Sequence, residues 1–139
     1  LRSDEIRKRL AGAAPEERLP PDAYTAAASR HVYAALERDA AVTVAGGHAA
    51  VADAVFLRPE ERSRIEAAAG RARFVGLWLE APPALLEARL AARSGDASDA
   101  DVAVLRATLR HDPGPIGWIR LDSAAPDLAD RARAAIAGP

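Results

Sequence analysis

The chain has 139 residues, half of them hydrophobic but only 4% aromatic, with 19 basic against 20 acidic residues and a formal net charge of -1. That length is one domain, and the near-neutral balance gives no electrostatic footprint for a long nucleic acid or an anionic membrane. Without cysteine there is no disulfide framework or thiolate zinc site. No apolar run approaches the roughly 20 residues of a membrane span, and no signal peptide heads the chain, so a cytoplasmic domain is expected. The absence of any methionine makes a fragment or a processed product the expectation.

In chain order, residues 1–2 read as the tail of a strand. Ser3 then reads as a helix N-cap with Asp4 and Glu5 in the first turn, where the helix dipole favours carboxylates, and Gly12 as the stop. A proline-broken connection follows. A long helix is predicted from about Thr25 to Val44, because Ala28, Val32, Leu36 and Ala40 repeat every four residues and two glycines follow. HAAVADAVF (48–56) suits a strand buried on both faces, and Pro59 opens the next helix. RFVGLWLEA (73–81) is the clearest strand. PPALLEARLAARSG is a helix, and SDADVAVLRATLRH another, with Ser98 as its cap and Asp101 three residues on. WIRLD (118–122) is a last strand and PDLADRARAAIAG a last helix. Strands separated by helices predict an α/β fold, a mostly parallel sheet with helices on both faces.

Ligands in such sheets bind at the carboxyl ends of the strands. Asp53 stands there and interrupts an apolar run, which suits either a magnesium-organising carboxylate or an acid capping the next loop. Asp4 and Arg7 share one face of a helix start, as a general base and a substrate-holding cation would, or as a dipole-favoured acid beside a solvated arginine. Arg89 and Arg93 border the Leu85, Leu86 and Leu90 stripe one turn apart, so they would grip a polyphosphate jointly or snorkel off a packed helix. SGDASDAD, just beyond, reads as a mobile polar connection suited to a lid, with the lid region at about 89–110. His31, His48 and His111 share no ligand spacing.

Four blocks together resemble the P-loop kinases of the polynucleotide-kinase and zeta-toxin type: LRSDEIRKRL, ADAVFLRPEERSRIEAAA, FVGLWLEAPPALLEARLAARSGDASDADVAVL and DPGPIGWIRLD. The closest resemblance is to the ATP-binding kinase-like domain fused to bacterial aminoglycoside-phosphotransferase-like proteins. It implies ATP- and magnesium-dependent phosphoryl transfer to a hydroxyl on a small-molecule or nucleotide acceptor. It implies Asp4 as general base, Arg7 on the acceptor, Asp53 at magnesium, and Arg89 with Arg93 on the nucleotide and the transferring phosphoryl group.

The family's G-x-x-x-x-G-K-[ST] loop, expected roughly 30–40 residues upstream of Leu1, is not in these 139 residues. The chain is therefore expected to be an N-terminally truncated single kinase-like domain over 1–139, inactive by itself. The family's central strand would also be missing, which leaves two half-sheets with open edges. The rival expectations are a degenerate kinase-like binding or regulatory module and a nucleotide hydrolase without an acceptor.

Overall fold

A computed structural model describes residues 1–93 and 96–138. Helix α1 spans Ser3–Ala11, with Arg2 rather than Ser3 in the extended cap position. It closes at Gly12, whose φ of 70° lets its N–H reach the Arg9 carbonyl and the Ala13 N–H reach that of Lys8. A short 3-10 turn at Pro21–Tyr24 leads into α2, Ala26–Ala45. Thr25 caps α2 by accepting from the Ala28 N–H at 3.2 Å. Val32, Ala35, Leu36 and Ala40 are its buried face. Helix α3 covers Pro59–Ala68, β1 Leu77–Glu80, α4 Pro83–Ala92, α5 Val102–Leu109, β2 Ile119–Asp122 and α6 Leu128–Ala137.

The core gathers Ile6 of α1, the α2 face, Phe56 and Ile65 of α3, with Tyr33, Ala50, Ala52, Ala54 and Trp118 packed against it. The 48–56 segment is not buried on both faces. Ala50, Ala52, Ala54 and Phe56 turn to the core, while Val51, Asp53 and Val55 are exposed, Val51 at 78%. A period of two governs an extended segment, and only one of its faces meets the α2 and α3 side chains. Phe56 has a φ of 47°, and its buried ring meets Tyr33 and Trp118 edge-on at 5.6 and 5.3 Å.

Strand pairing is parallel, as expected, and occurs twice. Leu1–Ser3 pairs with 51–53: the Asp53 N–H reaches the Leu1 carbonyl, and the Ser3 N–H the Asp53 carbonyl, both at 2.9 Å. β1 and β2 align Leu77 with Ile119 through Glu80 with Asp122. The expected 73–81 strand is shortened to β1 because β2 offers four residues to pair with, and because Gly76 lies against the Trp118 indole, where a Cβ would collide. Among the described residues no backbone hydrogen bond joins the two pairings. Leu79 and Ile119 are 59% and 46% exposed. The fold is thus α/β with a limited sheet in two pieces.

The pieces are joined by side chains. Arg62 of α3 is buried, and its guanidinium donates to the carbonyls of Phe56 (2.7 Å), Leu57 (3.1 Å), Pro113 (2.6 Å) and Pro115 (3.2 Å) while lying 5.5 Å over the Trp78 ring. The Trp118 indole N–H donates to Glu66 at 2.5 Å. Arg62→Met would bury those carbonyls without a donor. Thermal unfolding is expected to show a loss of about 3 kcal/mol, a fall in Tm of roughly 10 °C at this size. A loss below about 1 kcal/mol would show that the four bonds do not hold the junction.

Candidate functional site

The polar residues converge where the Leu1–Arg2 strand runs into α1. Arg2 ends that strand, and its side chain spans three acids: Nε donates to Asp53 Oδ2 at 3.2 Å, Nη2 to Asp96 Oδ1 at 2.8 Å, and Nη1 lies 3.8 Å from Glu5. Asp53 was expected to be a buried strand-end acid. Its side chain is 66% exposed on the open face and is neutralised by Arg2. Residues 48–56 therefore need no metal to stabilise it.

Asp4, in the first turn of α1, is half-buried. Burial raises its carboxyl above the ordinary carboxylate value, opposed by the Ser98 hydroxyl and by the charges of Arg2 and Arg7. A carboxylate so placed, easier to protonate than one in water, is chemically suited to accept a proton or to orient a hydroxyl. Arg7, one turn on, donates to the Ala23 carbonyl at 2.7 Å and stacks 4.9 Å over the Tyr24 ring. Its Nε is buried with no hydrogen-bond partner in the structure. Next to it, Tyr24 and Ser29 line a cavity of about 480 Å³ whose other walls include Leu57, Arg58, Val104, Thr108, His111 and Asp112.

The two arginines after β1 do not face one space. Helix α4 ends at Ala92, so Arg93 leaves the helical face as an extended cap residue. Its Nη2 donates to the Ala100 carbonyl at 3.0 Å and lies 3.5 Å from that of Ser98. Arg89 donates instead to the Ser123 carbonyl (2.9 Å) and hydroxyl (3.0 Å), beyond β2. The reason is geometric: joint grip needs both on one helix face, and the helix stops between them.

The connection expected to be mobile begins with Ser94 and Gly95, which lie outside the described residues. From Asp96 onward it is tied to α1. Lys8 is buried at 2% exposure; its ammonium donates to Asp99 Oδ1 at 2.9 Å and to the Glu17 carbonyl. Asp99 Oδ2 accepts from the Leu19 N–H at 3.0 Å and from the Tyr24 hydroxyl. Asp101, not Ser98, caps α5, accepting from the Val104 N–H at 2.9 Å. Helices α4 and α5 are clasped by a two-pronged Arg106–Glu87 pair at 2.8 Å. Arg2, Lys8, Tyr24, Ser98 and Asp99 escaped sequence reasoning. The available signal was that Lys8 is the single lysine among the 19 basic residues.

A protein-family model described as AAA domain matches residues 1–113. The chain belongs to this family. The AAA domain family in question is P-loop NTPase-like and kinase-like, which supports nucleotide binding at a coarse level; such proteins generally bind ATP with magnesium. No curated protein and no solved structure matches the chain. No group of three or more metal-ligating residues occurs among the described residues of this AAA domain. A magnesium ion held mainly by phosphates needs one or two carboxylates, and the chain offers Asp53, at present on Arg2. No described helix is long and apolar enough to cross a membrane.

The two half-buried carboxyls, Asp99 and Asp4, act on stability with opposite signs. Burial alone would raise Asp99, but the Leu19 amide, Lys8 and Tyr24 hold it down at about 2. Its stabilisation is complete above the unfolded carboxyl value of about 4 and is lost as pH falls through the folded one. Asp4 is raised, so its charge costs stability at neutral pH, and that cost disappears as pH falls through its folded value. In urea unfolding at pH 7, Asp99→Asn is expected to lose about 3 kcal/mol and Asp4→Asn to lose nothing or gain. Equal losses at both positions would contradict this assignment.

Proposed function

We propose that the chain is the acceptor-and-lid portion of a P-loop kinase. The intact protein would transfer a phosphoryl group from ATP to a hydroxyl, and the phosphate loop would be supplied by sequence before Leu1. The observation that carries the reading is Asp4: a half-buried, easily protonated carboxyl at a helix start, where a strand ends, flanked by Arg2, Arg7 and Ser98 in a chain of the AAA domain family. In this reading Asp4 accepts or orients the acceptor hydroxyl proton. Arg7 holds the acceptor with its unspent Nε, and the cavity beside Tyr24 and Ser29 receives it. The size of that cavity favours a small molecule or nucleotide over a polymer.

Arg89 and Arg93 would serve the phosphates after leaving carbonyl and hydroxyl partners that are exposed and exchangeable with water. Asp53 would be the one carboxylate offered to nucleotide-bound magnesium, in exchange for Arg2. The closer kinship to the polynucleotide-kinase and zeta-toxin type, a fused phosphotransferase-like domain, a cytoplasmic setting, and a fragment inactive without the loop all belong to this proposal. One observation favours a second reading, a kinase-like binding module: Arg2, Arg89 and Arg93 are already satisfied within the protein.

The test is Asp4→Ala in the intact, loop-containing protein, with acceptor-dependent ADP release as the readout. General-base loss predicts a fall in kcat of roughly 10²- to 10⁴-fold with little change in ATP affinity. Unchanged turnover overturns the kinase assignment of Asp4. Binding of ATP without turnover by the unsubstituted protein would favour the binding module.

A further inference from the structure

Lys8 stands in a chain that uses arginine for every other basic position. It is also among the most completely buried side chains. A buried ammonium is costly unless its charge is paired and its protons find acceptors. Here the acceptors are the Glu17 carbonyl and Asp99 Oδ1, in a space that suits a compact point charge rather than a planar fork. Asp99 is correspondingly filled, taking Lys8 on one oxygen and the Leu19 amide and Tyr24 hydroxyl on the other.

The segment held this way, Asp96–Asp101, has little apolar substance of its own. Only the methyl of Ala97 is buried, and a buried methyl contributes less than about 1 kcal/mol. Charge does the anchoring: Arg2 takes Asp96 at 2.8 Å and Lys8 takes Asp99. Ser98 lies between these two clasps. Its hydroxyl accepts from the Ala100 N–H and pulls the Asp4 carboxyl down against the effect of burial, and its carbonyl and that of Ala100 face Arg93. Tyr24 extends the connection, with its hydroxyl on Asp99 and its ring under Arg7.

We propose that Lys8 is the positioning residue of this site: by seating Asp96–Asp101 on α1 through Asp99, it holds Ser98 over Asp4 and keeps the Ser98 and Ala100 carbonyls on Arg93. The importance of this for turnover rests on the reading of Asp4 as the acceptor-facing base; the seating itself does not. The strongest alternative is an ion pair that only stabilises the fold, and Asp4 distinguishes the two. If Lys8 positions the segment, releasing it uncovers Asp4 without disturbing α2.

The experiment uses the full chain, comparing the unsubstituted protein with Lys8→Met/Asp99→Asn, in which neither charge is left buried without its partner. The readouts are hydrogen exchange of the Leu19, Ser98 and Ala100 amides against those of α2, and the NMR titration of the Asp4 carboxyl. The expected result is exchange about tenfold faster at the three amides, the equivalent of about one lost hydrogen bond. Protection in α2 should be unchanged, and the Asp4 midpoint should move down toward the ordinary carboxylate range. An unmoved Asp4 midpoint in the folded double variant overturns the proposal, as does unchanged protection at the three amides.

Tyr24→Phe removes one bond to Asp99 and leaves both charges in place. It should move both readouts the same way by a smaller amount, and if the double variant does not fold, absence of that movement is the overturning result. Neither readout involves phosphoryl transfer. Failure of the Asp4→Ala turnover test would remove the kinase reading and leave the seating standing, whereas a failure here would leave that test untouched.

Discussion

The two parallel pairings share no ladder, so the relation between them depends on one buried guanidinium. Arg62 reaches from α3 into carbonyls on both sides: Phe56 and Leu57 after the Asp53 segment, Pro113 and Pro115 before β2. Its partners are neutral, so the charge is met by dipoles and by the Trp78 face rather than by an acid. The arrangement matches the acceptors available. A Pro-Gly-Pro run has few N–H groups with which to engage its own carbonyls, and the positive φ of Phe56 turns its ring inward while its carbonyl meets Arg62. The edge-on contact between Phe56 and Trp118 then closes the junction.

A thin core explains why cations carry such weight. Three of the ten buried hydrophobic residues described are alanine and four more alanines pack against the core, each burying little area, and the aromatic content is low. Where large side chains are scarce, long-range order comes from directional bonds whose geometry is demanding. Lys8 and Arg62 are the two buried charged residues described. One orders the segment beside the site, and the other orders the platform beneath it. Arginine serves where several carbonyls fan out around a plane. Lysine serves where two acceptors meet at a point.

The same economy shapes the site. Helix α1 carries Asp4 in its first turn and lays Arg7 over the Tyr24 ring, while Lys8 and the cap residue Arg2 hold Asp99 and Asp96. These four residues therefore stand within two turns at the start of one short helix, which fixes their mutual geometry without a deep core. Arg93 is drawn to this cluster through backbone carbonyls, and Arg89 is held apart at the end of β2. Arg2, Lys8, Arg89 and Arg93 are satisfied by partners within the protein, which limits the cost of gathering so many cations in one region.

What the sequence determined by itself is whatever rests on neighbours within about one helical turn. The 20-residue helix with its four-residue stripe, the glycine stop of α1, the proline start of α3 and the first-turn position of Asp4 all follow from local periodicity, capping and dipole. The parallel pairing followed from the alternation of strands and helices. Tertiary structure decided the rest. It chose which face of 48–56 is covered and so put Asp53 outside. It ended α4 one residue before Arg93. It also turned Lys8, by local pattern another solvated cation, into a buried anchor. The reason is distance along the chain: Asp99 lies 91 residues from Lys8, and Asp96 94 from Arg2. No periodicity encodes an ion pair between segments that meet only once the chain has folded.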